Sequence, residues 1–207
     1  TFFMTQPPLN SYYSKHYHAY QHSCEAISWE QRRKTMKIAV IGYSGSGKST
    51  LAAHLADVYQ IPLLHLDAIN FKAGWQERPQ SEVLADLRTF MAQSNWIIDG
   101  NYMWMDMPRR MQEADTILFF QFSRLRCLRQ PYRRYRVYHG RVRTSIAPGC
   151  PEKFDTEFVR WILVDGRRRK YRRSYSDVVI RYRKKTVILR NPSDVERFEQ
   201  TVHLPEA

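Results

Sequence analysis

Cysteine is scarce in this chain, and so are glycine and long apolar runs. Cys24, Cys127 and Cys150 are the only cysteines in 207 residues, and no CxxC pair occurs. That spacing excludes a disulfide framework and a thiolate zinc site, and reduced, structurally incidental thiols are expected. No apolar run reaches the roughly 18 residues of a membrane-spanning helix. Residues 1–35 hold no continuous apolar block of the kind a secretory signal requires, so a cytoplasmic protein without membrane attachment is expected. His16 and His18 alternate in the "HYH" of that leader without a third ligand, too little for a metal site. Acidic side chains are missing from one region. Residues 121–190 hold 21 of the 33 Lys and Arg but only 5 of the 20 Asp and Glu, a local net charge of +16 in a chain of +13. Such a field attracts nucleotides, sugar phosphates or nucleic acid, unless it is simply a solvated Arg-rich helical face.

What is present describes a folded chain. Hydrophobic residues make up 43% and aromatic residues 14%, enough at this length for one domain with a substantial core. Residues 1–35 are rich in Tyr, His, Gln and Ser and lack periodicity; we expect a largely unstructured extension, followed by a single domain over residues 36–204. From Met36 apolar runs alternate with helical patterns. "KIAVI", "IPLLHLD", "NWIIDG", "DTILFFQF" and "TVILRN" read as five buried strands. "KSTLAAHLADVYQ", "SEVLADLRTFMAQ" (with Ser81 as N-cap and Val83, Leu84, Leu87 and Phe90 on one face) and "PSDVERFEQTV" read as helices. Short apolar strands separated by helices predict an α/β fold with a parallel sheet covered on both faces, in three layers. Residues 123–183 break the rhythm as a basic, mostly helical insertion, interrupted by the loop signals Gly140, Pro148, Gly149 and Pro151.

Three of the eight glycines fall together, in "GYSGSGKST". Gly42 to Ser49 satisfies G-x-x-x-x-G-K-[ST], with a strand before it and a helix after it. Glycines let successive backbone N–H groups converge, and the helix directs its positive end to the same point. This predicts ATP held by Gly42, Ser44, Gly45, Ser46, Gly47, Lys48, Ser49 and Thr50, with Lys48 on the β- and γ-phosphates and the Ser49 hydroxyl on Mg²⁺. Two strand-ending aspartates face the carboxyl edge of the sheet, where ligands bind in such folds. Asp99 is the candidate for the metal shell. Asp67, farther along the crevice, is the candidate to accept or orient an acceptor's hydroxyl proton.

The loop together with "IIDGNY" resembles the nucleoside-monophosphate kinase and shikimate kinase branch of P-loop proteins. More closely, "IGYSGSGKSTLA", "PLLHLDAINFKAGWQERP", "WIIDGNY" and "GCPEKFDTEFVRWI" are similar to the bacterial DNA topology modulation proteins, described as adenylate-kinase-like, over about Met36 to Phe198. The resemblance implies a P-loop NTPase fold with sheet order 2-3-1-4-5, ATP and Mg²⁺, and a mobile lid between the fourth and last strands. Arg129, Arg133, Arg141 and Arg143 are then candidates for clamping phosphates. Adenylate kinases carry an arginine after "DG" that grips the acceptor's phosphate; here Asn101 and Tyr102 stand there. These neutral groups suit a hydroxylated or nucleoside-like acceptor, with Phe71, Trp75 and Arg78 lining its pocket unless the aromatics merely pack a helix. Small-molecule kinase is the favoured reading. A DNA-associated ATPase, with tyrosines interleaved among the arginines, and a nucleotide-binding regulator are the alternatives.

Overall fold

The computed structural model describes residues 36–138, 146–150 and 154–201. The expectations for residues 1–35, and for Arg141 and Arg143, lie outside the described residues. In chain order the strands are β1 (Lys37–Gly42), β2 (Leu63–His65), β3 (Phe71–Lys72), β4 (Gln76–Glu77), β5 (Trp96–Asp99), β6 (Thr116–Phe120) and β7 (Thr186–Leu189). The helices are α1 (Lys48–Tyr59), α2 (Leu66–Asn70), α3 (Gln80–Met91), α4 (Met107–Glu113), α5 (Arg124–Tyr138), α6 (Thr156–Leu163), α7 (Arg169–Arg181) and α8 (Pro192–Thr201).

Five strands pair in the order β2-β5-β1-β6-β7, all parallel, and β3 and β4 form a separate antiparallel hairpin. Counting only the strands of the main sheet, this is the expected 2-3-1-4-5 order. The period of two along β1 sorts its side chains to two faces. Ile38 and Val40 join Leu51, Leu55, Ile97, Leu118, Phe120, Ile162 and Leu189 in one cluster. Ala39 and Ile41 join Val83, Leu87, Trp96, Ile98, Met111, Phe119, Tyr175 and Val178 in the other. Both faces are therefore dry, and the sheet lies between two helical layers.

Two expectations change in detail. The second strand stops at His65, and Asp67 lies in the first turn of α2 rather than at a strand end. Ser81 does not cap α3, which begins one residue earlier after Pro79. In the described parts of the 123–183 insertion, helices α5, α6 and α7 bury Cys127, Ile162, Tyr175 and Val178 in the two main clusters. Their apolar stripes are as much a part of the core as those of α1 and α3. Cys127 and Cys150 are buried free thiols. Among the described residues no helix is long and apolar enough to cross a membrane.

Candidate active site

The phosphate loop bridges the end of β1 and the start of α1, and strand register determines what surrounds it. Val40, two residues before the loop, is level with Asp99 on β5, and Asp99 is level with His65 on β2. Neighbouring in-register residues of a parallel sheet point to the same face. His65 Nδ1 accordingly lies 3.0 Å from Asp99 Oδ2. The other oxygen of Asp99, Oδ1, is buried and has no hydrogen-bond partner among the described residues.

No side chain caps α1, and its first turn carries no acidic residue. The donors that a helix leaves unpaired at its N-terminus are thus left for an anion. Lys48 is buried, and its Nζ donates to the Tyr43 carbonyl at 2.9 Å. Burial pushes its pKa down, while the carboxylates of Asp99 and then Asp67 pull it back up. Both aspartates therefore act on the ammonium that the loop supplies. Ser49 is half-buried and Thr50 exposed on the first turn. The buried Ser46 hydroxyl has no partner among the described residues.

Much of the chain is spent holding the loop's backbone. The Asn101 amide bridges the N–H and C=O of Gly42: Gly42 N–H donates to Asn101 Oδ1 at 2.8 Å, and Asn101 Nδ2 donates to the Gly42 carbonyl. An amide side chain carries both a donor and an acceptor and can satisfy the N–H and the C=O of one residue together. Asn101, expected beside an acceptor, is thus hydrogen-bonded to the loop and braces it. Tyr175 adds a long hydrogen bond to the same carbonyl. The Arg167 guanidinium lies 3.7 Å from the centre of the Tyr43 ring and donates to the Phe122 carbonyl at 2.8 Å. Trp161 Nε1 donates to the Ser44 hydroxyl at 3.1 Å.

Helix α5 lies against the loop. A Cβ on Gly45 would sit 2.1 Å from the Cys127 carbonyl oxygen and 2.7 Å from Pro131 Cγ, and one on Gly47 would sit 3.2 Å from Gln130 Oε1. Pro131 lies inside the helix and has no N–H to offer the carbonyl four residues back, which is that of Cys127. Residues 127, 130, 131 and 134 follow helical spacing, so Arg134 shares the stripe that meets the loop; its charge further lowers the Lys48 pKa. Arg129 and Arg133 are exposed, off that stripe.

On the other side of Lys48, the Tyr102 hydroxyl donates to Asp67 Oδ1 at 2.7 Å. Burial, reinforced by the Asp67 charge, pushes the phenol pKa well above its ordinary value, so Tyr102 remains a donor. Arg78 is engaged at the rim by Asp86 at 2.9 Å, by Glu82, and by the Ile69 carbonyl at 3.0 Å. Phe71 and Trp75 meet edge to face at 5.3 Å and pack against Ile146, Ala147 and Cys150. Gly74 N–H donates to the Gly149 carbonyl at 3.0 Å, and Cys150 Sγ donates to the Lys72 carbonyl at 3.2 Å. The "GC" of the insertion thus docks on the β3–β4 hairpin. Arg110, nine residues after Asn101 in the segment that follows β5, is fully buried and donates to the carbonyls of Met105, Gly100 and Tyr102. Burial pushes its pKa down to about 10. That arginine fastens the 100–105 turn and is not presented to a ligand.

Sequence reasoning missed His65, Trp161, Arg134 and Arg167. The one readable signal was that His65 is two residues before Asp67, on the strand expected to end the crevice.

No protein-family model matches the chain, and no curated protein matches it. Among solved structures it is similar to a shikimate kinase from Bacteroides thetaiotaomicron, with 16% identity, a TM-score of 0.47, and coverage of 81% of this chain and 98% of that one. It is also similar to a protein from Chloroflexus aurantiacus assigned provisionally as a kinase, with 17% identity, a TM-score of 0.41, and coverage of 64% and 80%. Likenesses this distant carry no residue roles across. Strand order and the loop between β1 and α1 are what establish that the chain has the P-loop NTPase α/β fold.

Proposed function

We propose that the protein is an ATP- and Mg²⁺-dependent phosphotransferase that moves the γ-phosphoryl group to a hydroxyl of a small acceptor. One observation carries this reading: a buried lysine in the phosphate loop is influenced by two carboxylates of different character. Asp99 is buried with one oxygen unpartnered, and Asp67 is exposed and held by a tyrosine. An unpartnered buried carboxylate oxygen fits a divalent cation, and the uncapped N-terminus of α1 fits the phosphates that such a cation accompanies. Ser49 and Asp99 Oδ1 are the groups that would hold Mg²⁺, which would neutralise phosphate charge there.

Lys48 and the α1 N-terminus bind the β- and γ-phosphates. Tyr102 orients Asp67, and Asp67 accepts the proton as the acceptor's oxygen bonds to the γ-phosphorus and the bridging oxygen departs with ADP. Arg134 is the α5 arginine placed to follow the charge that spreads over the transferring group. With Arg110 and Arg78 engaged within the fold, a neutral hydroxylated or nucleoside-like acceptor suits the Asp67 side better than a phosphorylated one. The exposed arginines of α5 and α7 fit contact with polyanions, and added DNA is expected to leave turnover unchanged.

The reading is tested with Asp67→Asn and Lys48→Ala. Asp67→Asn should retain ATP binding and lose phosphotransfer by about 10²–10⁴-fold, the usual contribution of a general base. Lys48→Ala should lose both. Undiminished transfer by Asp67→Asn would remove that residue from the chemistry.

A further inference from the structure

The His65–Asp99 pair has a geometry that the reaction alone does not require. Both side chains are nearly buried, at 12% and 6% exposure. A carboxylate only accepts hydrogen bonds, so the hydrogen between them resides on His65 Nδ1. A carboxylate turns about its own axis unless something fixes it, and its two oxygens are chemically equal. Here His65 takes Oδ2, and Oδ1 is left buried without a partner. The backbone holds His65 in place. It is the last residue of β2, level with Asp99 in the sheet, and extended at φ −87 and ψ 120 where α2 begins. Its ring therefore has a fixed origin from which to aim the carboxylate.

We propose that His65 is a positioning residue: it clamps Oδ2 of Asp99 so that Oδ1 is presented to the divalent cation of a bound nucleoside triphosphate. The proposal rests on the metal role given to Asp99 above. The histidine touches neither nucleotide nor acceptor and acts only through the carboxylate.

The test is a titration with Mn²⁺, followed by electron paramagnetic resonance, in the presence of a non-hydrolysable ATP analogue. Metal-free analogue binding and thermal unfolding are measured alongside. His65→Ala should weaken Mn²⁺ binding about tenfold and leave metal-free nucleotide affinity unchanged. In an Asp99→Ala background the same substitution should add nothing, because the two residues form one unit. His65→Asn places its amide nitrogen where Nδ1 stands and should restore most of the affinity. His65→Gln places it at the Nε2 position and should not. This pair is similar in size and polarity, so it remains decisive if His65→Ala fails to fold. Additive effects in the double variant, or a His65→Gln protein that holds Mn²⁺ as the parent does, would overturn the proposal while leaving the metal role of Asp99 in place. Undiminished Mn²⁺ affinity in Asp99→Ala would overturn both.

Discussion

Replacing Gly45 with alanine tests whether α5 lies on the phosphate loop. Gly45 has φ +77, a left-handed conformation that costs an L-residue about 1–2 kcal/mol. The added Cβ would stand 2.1 Å from the Cys127 carbonyl oxygen and 2.7 Å from Pro131 Cγ. An ordinary contact is more than 3 Å, so the helix must retreat by about 1 Å, an overpacking cost of about 1–3 kcal/mol. Gly74 is a matched control. Its φ of +73 is nearly the same, yet a Cβ there would meet nothing within 4 Å. Gly74→Ala should therefore show the conformational cost alone. Gly45→Ala should lose about 2–5 kcal/mol, a fall of roughly 10 °C in Tm for a domain of this size. Nucleotide affinity should fall with it, because the displaced backbone supplies the phosphate donors. Circular dichroism melts and urea titrations of both variants provide the comparison. Equal losses for Gly45→Ala and Gly74→Ala would refute the packing of α5 on the loop.

Two further outcomes follow from side chains that hold the site. Asn101→Leu leaves the Gly42 N–H and carbonyl without their amide partner, and should cost about 1–3 kcal/mol in urea unfolding while weakening ATP binding; an unchanged midpoint would show that the brace contributes nothing. The Arg88 hydrogen bond holds the Asp106 carboxyl below its usual range. A depressed folded pKa stabilises above the unfolded value and is lost as pH falls through the folded one. The stability gap between the parent and Arg88→Ala should thus be full at neutral pH and close below about pH 4; a gap that widens in acid would reverse the sign.

The five strands and their neighbouring helices were legible because each is a short apolar run bounded by turns, and the sheet order followed from the resemblance. The end of β2 was not. In "LLHLD" the apolar run continues through Leu66, which is buried in α2 as fully as a strand residue would be, and a short buried segment carries no period that separates the two. Glycine spacing disclosed the phosphate loop, but nothing local disclosed its supports. Asn101 reaches Gly42 across 59 residues and Trp161 reaches Ser44 across 117. The His65–Asp99 bond exists only because β2 and β5 pair in one register. Arg129 and Arg133 were singled out in an arginine-rich run and Arg134 was not; only the contacts of Cys127, Gln130 and Pro131 with the loop tell which side of α5 faces it.

The most direct measurement is a screen with ATP labelled in its γ-phosphate against nucleosides, nucleotides, sugars and hydroxylated metabolites, with Lys48→Ala as the inactive control. The account predicts label on the hydroxyl of a non-phosphorylated acceptor, Mg²⁺-dependent and lost in Asp67→Asn. Label appearing only as inorganic phosphate across the panel, with ATP bound normally, would contradict it.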